Sequence, residues 1–155
     1  MRFASSLCGI MLVAFGFANH LLADDLLVPN QYATIEIAIA AASDGDVIVV
    51  DNHPETLPHG WADGFRDLDF SPNDGPTKFI TIRSANGPDN CFIDLTGGHD
   101  AFIFDSHEDQ RAVVQGFTFF VLDGDTNFAA SAAIQCMASS PRIVNCRFVN
   151  RVVQT

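Results

Sequence analysis

The sequence predicts an all-β chain whose short strands stack as coils of a parallel β-helix behind a short capping α-helix. Three observations lead to this fold class. Residues 34–51 carry a helical pattern of apolar residues that passes directly into a β-branched strand. Short apolar segments then follow one another without a second helical pattern. Three of these segments resemble each other at spacings of 26 and 29 residues, which lie in the range typical of solenoids.

The predicted capping helix begins after Thr34, whose hydroxyl can accept a hydrogen bond at a helix N-terminus, and Glu36 suits the positive end of the helix dipole. Apolar residues follow on one face, at Ile35, Ala38, Ile39 and Ala42. Gly45 can end the helix in a left-handed conformation, and the strand 47–50 comes directly after it. We expect this helix to cover strand edges that would otherwise promote aggregation.

The remaining strands are short, numerous and not separated by helices, so an α/β sheet is excluded as the predicted class. They are predicted at 79–82, 92–95, 101–104, 112–114, 117–121, 132–134, 142–144 and Phe148, with a further short strand at Leu68 and Phe70.

The three similar segments place Asn90, Gly116 and Asn145 at one corresponding position. Asn and Gly tolerate a positive φ better than other residues, so each copy is predicted to bend there. The bend would direct Ile143 and Phe148 into the core on either side of Asn145. Stacked coils lie about 4.8 Å apart, which allows Asn side chains to hydrogen-bond along the stack.

The N-terminus has the pattern of a signal peptide. Met1 and Arg2 provide a positive start, 7–17 is almost entirely apolar, and small residues offer cleavage after Ala18 or Ala23. We favour Ala23, because an acidic pair follows it, and we divide the chain into a signal peptide, 1–23, and a domain, 24–155. The alternative is an uncleaved anchor, although the apolar stretch is shorter than the roughly 20 residues that a span requires.

The formal net charge of the chain is −11. Such a chain lacks the basic surface that nucleic acids and anionic membranes require, and it would bind an acidic polysaccharide only through a bridging cation. Three cysteines remain after removal of the signal peptide, Cys91, Cys136 and Cys146, and we expect them to be buried free thiols. Cys136 with Cys146 is the one pair considered for a disulfide.

Four segments carry a resemblance to a known family, at 32–50, 78–94, 114–119 and 133–150. The first resembles the N-terminal cap, and the others the first coils, of secreted right-handed parallel β-helix proteins of the pectin-lyase-like superfamily. The resemblance implies a right-handed helix and a secreted or cell-surface location. It does not imply one activity, because the superfamily includes lyases, hydrolases, adhesins and proteins without known activity.

The sequence departs from the family pattern in two places. A long polar stretch, 51–78, follows the first strand, and the chain stops at Thr155 where family members continue through further coils. We therefore expect 24–155 to be the N-terminal part of a β-helix domain that is truncated at its C-terminus.

The polar stretch contains the candidate carbohydrate site, His59, Trp61, Asp63 and Arg66. An exposed indole can stack on the apolar face of a sugar ring, while the polar neighbours bind its hydroxyl groups. The alternative is that Trp61 folds back and covers the base of its own loop.

A second candidate is a metal site at Asp123 and Asp125, whose alternating oxygen ligands are similar to the start of a calcium loop. The glycine and the final glutamate of such a loop are replaced by Phe128 and Ile134, so a polar turn is the alternative reading. Ca²⁺ is the one cofactor considered for this chain.

The family resemblance also implies where lyase chemistry would be found. Acidic residues would hold Ca²⁺ against substrate carboxylates, and a basic residue would remove a proton. The candidates are Arg83, Asp94, Asp100 and Asp105, and they form a site only if they share one face of the stack. No catalytic residue is assigned.

We predict an exported scaffold or surface protein that contacts carbohydrate and is not itself catalytic. One alternative is the N-terminal part of a polysaccharide lyase or glycoside hydrolase. The other is a structural repeat protein that self-associates through its uncapped C-terminal coil.

Overall fold

The computed structural model describes residues 23–51, 66–71, 75–95, 100–123 and 132–152. Within these ranges the chain consists mostly of strands with one short helix, as predicted. The elements are β1 (Asp25–Val28), α1 (Ile35–Ala41), β2 (Val47–Val50), β3 (Leu68–Asp69), β4 (Thr81–Ser84), β5 (Phe92–Asp94), β6 (Phe102–Phe104), β7 (Val113–Gln115), β8 (Thr118–Asp123), β9 (Ile134–Cys136), β10 (Arg142–Val144) and β11 (Arg147–Val152).

The strands form three parallel sheets. The first sheet has the order β1-β2-β4-β7-β10, the second β5-β8-β11 and the third β3-β6-β9. From β4 onward the chain passes through the first, second and third sheets in that order and then begins again. We call one such passage a circuit: β4, β5 and β6 form the second circuit, β7, β8 and β9 the third, and β10 with β11 the fourth. The first circuit contains β2 and β3.

The register of the second sheet reproduces the spacing of the similar sequence segments. Phe92 lies opposite Thr118 and Thr118 opposite Arg147, offsets of 26 and 29 residues. In the first sheet Thr81 lies opposite Val113 and Val113 opposite Arg142. Each circuit therefore places its strands directly against those of the preceding one.

Helix α1 has the cap and the buried face that its sequence predicts. The Thr34 hydroxyl oxygen accepts a hydrogen bond from the Ile37 N–H at 3.2 Å. The four apolar residues of the predicted face, Ile35, Ala38, Ile39 and Ala42, are all buried. The helix ends at Ala41, earlier than Gly45, whose φ of +92° instead forms the turn into β2.

Strand β1 was not predicted from the sequence. It pairs in parallel with β2, so that Leu26 lies opposite Ile48. Its outer edge is closed at Leu27, whose N–H donates to Gln31 Oε1 and whose carbonyl accepts from the N–H groups of Gln31 and Tyr32. This edge is thus protected from pairing with another strand.

The centre of the core is built from phenylalanines of the second and third sheets and of the turns beside them. Phe102 lies at the centre, and its ring centroid is 6.2 Å from those of Phe117 and Phe119, 6.4 Å from that of Phe104 and 6.5 Å from that of Phe70. All five rings are fully buried. Burial of this apolar surface is the main force holding the circuits together.

The bends follow the sequence prediction at two of three positions. Gly116 and Asn145 have φ values of +79° and +49°, whereas Asn90 does not have the positive φ expected of it. The second circuit contains extra residues between β4 and β5, and its chain turns earlier, at Gly87, with φ +82°. Thr118 Oγ1 then donates to the Pro88 carbonyl oxygen at 2.7 Å and fixes this longer turn.

Candidate functional site

The fourth circuit exposes apolar side chains that belong to inward-facing columns. In the first sheet Ile48, Ile82, Val114 and Ile143 lie in register. The first three are fully buried, but Ile143 is 39% exposed. Ile143 thus lies in the inward-facing column, as expected, and it is partly exposed because among the described residues no further strand lies beyond it.

Phe148 repeats this arrangement in the second sheet. It lies opposite the fully buried Phe119, and the two rings stack at 5.2 Å with an interplanar angle of 11°. Among the described residues one ring, that of Phe119, stacks on Phe148, and Phe148 is 57% exposed. Sequence reasoning identified its column but not its exposure.

Three strand edges lie on the same side as these residues, since β9, β10 and β11 are each the last described strand of their sheets. The Arg142 N–H donates to Ala112 and the Val144 carbonyl accepts from Gly116, so the N–H and C=O of Ile143 point to the open side. We call this surface the end face. Its exposed apolar residues are Met137, Ile143, Phe148 and Val149.

The end face also differs in charge from the rest of the chain. Residues 132–152 contain Arg142, Arg147 and Arg151 and no acidic residue. Arg147 forms an ion pair with Asp89 of the second circuit, while Arg142 is exposed. The last acidic residue of the sequence is Asp125, so this asymmetry was visible without the structure.

The opposite end is acidic. Residues 23–51 contain six acidic residues and no basic one, namely Asp24, Asp25, Glu36, Asp44, Asp46 and Asp51. The outer side of α1 exposes Ala40, Ala41 and Ile37, the last being 50% exposed. We call this surface the cap face.

A buried carboxylate lies at the turn between the third and first sheets. Glu108 is 1% exposed, and its Oε2 accepts hydrogen bonds from the Ser106 N–H at 3.0 Å and the Ser139 hydroxyl at 2.7 Å. Its Oε1 has no hydrogen-bond partner among the described residues. Burial, and to a smaller extent the charge of Glu108, raises the pKa of the Cys136 thiol. Glu108 therefore links the second and third circuits and influences a neighbouring thiol.

The three cysteines differ in exposure and form no disulfide with one another. Cys91 is buried, as expected, but Cys146 is half-buried and Cys136 is exposed. Cys136 continues the column of Phe104 in the third sheet, and its exposure has the same cause as that of Ile143.

Most of the predicted carbohydrate site, His59, Trp61 and Asp63, lies outside the described residues. Arg66 is described and is half-buried just before β3. For the candidate metal site, Asp125 is likewise outside the described ranges, and Asp123 is the final residue of β8. Within the described ranges no group of three His, Cys, Asp or Glu side chains could hold a metal ion.

The four candidate lyase residues do not share one face. Arg83 lies on β4 of the first sheet and Asp94 on β5 of the second, while Asp100 and Asp105 flank β6 of the third. Asp100 Oδ1 accepts a hydrogen bond from the Ala132 N–H at 2.6 Å, which joins two circuits. Asp100 is thus engaged in holding the backbone.

The chain matches no protein-family model, no curated protein and no solved structure. Among the described residues there is no helix with the length and apolar character of a membrane span.

Proposed function

We propose that the circuits are coils of a right-handed parallel β-helix capped by α1, and that the chain is an exported scaffold or surface protein that contacts carbohydrate without catalysing a reaction. One observation carries this proposal: the chain repeats the order first, second and third sheet, with parallel, in-register pairing between circuits. The resemblance of 32–50 to the cap of secreted β-helix proteins adds support.

The proposed handedness rests on a general property of parallel strands. A connection between parallel neighbours of one sheet is right-handed in about 98% of cases. Here β4 and β7, like β7 and β10, are parallel neighbours joined by excursions through the other two sheets. A right-handed coil is the arrangement that this rule favours.

The proposed carbohydrate contact is made by the polar stretch between β2 and β3. Both ends of this stretch are fixed, because the Asp51 N–H donates to Val28 at 2.8 Å and the Asp67 N–H donates to Asp100 at 2.7 Å. Binding residues are commonly found on loops whose ends are fixed to a rigid scaffold. Trp61 supplies the aromatic ring for a sugar.

The experiment uses Trp61 as its own reporter, since it is the only tryptophan in the chain. Retention on a panel of insoluble neutral and acidic polysaccharides is measured first, and tryptophan fluorescence is then followed during titration with soluble forms. We expect retention and a fluorescence change with at least one polysaccharide, and loss of retention in Trp61→Ala. Trp61→Phe keeps an aromatic ring and should retain part of the binding. Undiminished retention by Trp61→Ala would contradict the proposal.

The scaffold is favoured over the lyase or hydrolase because the four candidate catalytic residues are distributed over three sheets. Enzymatic bond cleavage requires groups held together at a defined separation. Release of unsaturated sugars from a polysaccharide in the presence of Ca²⁺ would overturn this choice.

A second candidate function, self-association, is favoured by the end face. We propose that the end face of one copy contacts the cap face of a second copy. The end face has exposed apolar residues and arginines, and the cap face has the exposed Ile37 on a segment with six acidic residues and no basic one, so both apolar surface and charge are complementary. An interface between two different surfaces continues from copy to copy, and it gives a ring if the rotation between copies closes and an open filament if it does not.

Sedimentation velocity at increasing protein concentration tests this contact. We expect larger species at high concentration and fewer of them at high salt, because salt screens the charge contribution. Phe148→Asp and Ile37→Asp should each stop growth, and a mixture of the two variants should give one-to-one dimers through the remaining intact surfaces. A monomeric wild-type protein at all concentrations, or assembly by either variant alone, would refute the head-to-tail contact.

A further inference from the structure

The side chain of Asp46 is buried beside the predicted processing site. Asp46 is 8% exposed, and its two carboxylate oxygens accept hydrogen bonds from backbone groups. Oδ2 accepts from the Ser43 N–H at 2.8 Å, and Oδ1 accepts from the Asp24 N–H at 2.9 Å. The donor nitrogen of Asp24 belongs to the Ala23–Asp24 peptide bond. A buried carboxylate is therefore in direct contact with the atom that cleavage after Ala23 would release.

We propose that cleavage of the Ala23–Asp24 bond creates an ammonium group that forms an ion pair with the buried carboxylate of Asp46 and so stabilises the mature fold. This inference rests on the proposed export of the chain, since export supplies the endopeptidase. Water is the co-reactant: its hydroxyl adds to the Ala23 carbonyl carbon, the C–N bond breaks, and the Asp24 nitrogen takes up protons to become an ammonium. No other reactant is required.

The surroundings of Asp46 favour such an ion pair. Ala23 and Asp24 are both exposed residues. Among the described residues the hydrogen-bond donors to Asp46 are neutral backbone N–H groups, which are weaker partners for a buried carboxylate than a charged donor. Ala23 lies close to Gly45: a Cβ placed on Gly45 would lie 4.0 Å from the Cβ of Ala23.

Other charged groups around the new ammonium act on its pKa in both directions: carboxylates raise it and basic groups lower it. Asp44 and Asp25 are exposed carboxylates nearby in sequence, and the Asp24 side chain itself is exposed. Among the described residues, Lys78 interacts with Asp44 and Asp46, and Arg111 interacts with Asp44. With acidic groups in the majority, the pKa of the α-amino group is expected to rise above its usual value of about 7.7–8.0. A raised folded pKa means that stabilisation is complete below the unfolded pKa and is lost as the pH rises through the folded pKa.

The first measurement is the N-terminal mass of the protein recovered after export, which should begin at Asp24. The mature protein is then compared with the same protein acetylated at its α-amino group, a change that removes the charge but keeps an N–H. At neutral pH we expect acetylation to raise the unfolding equilibrium constant roughly fivefold. In Asp46→Asn acetylation should have almost no effect.

If Asp46→Asn does not fold, the pKa of the α-amino group is measured by titration of the wild-type protein. Asp25→Asn, which removes an exposed carboxylate, is the control. A raised pKa that Asp25→Asn leaves nearly unchanged supports the ion pair. An unshifted pKa, or equal stability of acetylated and free protein, refutes it. A mature N-terminus at Asn19 also refutes this inference while leaving export intact, and recovery of an uncleaved chain contradicts both.

Discussion

The Nζ of Lys78 lies 2.6 Å from the carbonyl oxygen of Ile39, which joins the turn before β4 to the last turn of α1. A second hydrogen bond of 2.8 Å reaches the carbonyl of Ala40. Helix carbonyls at a C-terminus have no partner within the helix, and α1 has no basic residue in its last turn. The Ala42 N–H also donates to Ile39, and Lys78, the only lysine of the chain, adds a donor to both carbonyls and a charge that suits the helix dipole.

Replacing Lys78 by methionine should therefore weaken the attachment of the cap. Burial lowers the pKa of Lys78, while Asp44 and Asp46 act to raise it, so part of the gain from its charge is offset by desolvation. We expect Lys78→Met to lower the free energy of unfolding by about 0.5–1 kcal/mol. Chemical denaturation measures the change, and Lys78→Arg, which keeps a charged donor, should lose less. Equal stability of Lys78→Met and wild type would show that these bonds contribute nothing.

The centre of the phenylalanine core should be the most sensitive position in the chain. Phe102 is fully buried among four other rings, so Phe102→Ala leaves a cavity and should cost about 3–5 kcal/mol. Phe92, which is half-buried and stacks on Phe120 at 5.6 Å, provides the matched control. Phe92→Ala should cost clearly less, and Phe102→Leu serves if the alanine variant does not fold. Equal costs at the two positions would contradict a core centred on Phe102.

The capping helix could be predicted because its signals are local. Thr34, the apolar face and the β-branched strand after Gly45 lie within one short run, and their positions depend on no distant residue. The register of the second sheet could also be predicted, because the sequence segments around Gly116 and Asn145 are similar. The structure confirms these features where they fall on described residues.

The features that sequence reasoning missed depend on contacts between circuits. Strand β1 is only four residues long and is defined by its pairing with β2, a contact that the sequence alone does not reveal. The alignment of Asn90 with Gly116 takes no account of the extra residues between β4 and β5. In the structure these residues move the bend to Gly87. The exposure of Phe148 follows from its place in the last described circuit.

The bends at Gly116 and Asn145 should respond differently to substitution. Alanine at Gly116 would be forced to adopt φ near +79°, and its Cβ would lie 3.4 Å from the Ser84 Cβ. We expect Gly116→Ala to lower the free energy of unfolding by about 1–2 kcal/mol.

At Asn145, where φ is +49°, glycine can also adopt the backbone conformation without strain. Asn145→Gly should therefore stay within about 0.5 kcal/mol of wild type, while Asn145→Ala should lose about 1 kcal/mol. Thermal or chemical unfolding of the three variants measures both effects. Tolerance of alanine at Gly116 would mean that the chain does not need a left-handed residue there.

The reactivity of Cys136 should report on the buried Glu108. Thiolate, not thiol, reacts with alkylating reagents, and burial together with the charge of Glu108 raises the pKa of Cys136. Native protein should therefore be alkylated slowly at Cys136 near neutral pH, although this residue is exposed, and faster as the pH rises through its pKa. In Glu108→Gln the smaller of the two causes is removed, so the midpoint should move to lower pH yet stay above that of an ordinary thiol.

Cys91, which is buried, should react at a comparable rate only after unfolding and so provides an internal control in peptide mass analysis. A midpoint that is unchanged in Glu108→Gln would show that desolvation alone sets the pKa of Cys136, and rapid alkylation of Cys91 in the native protein would place that residue outside the core.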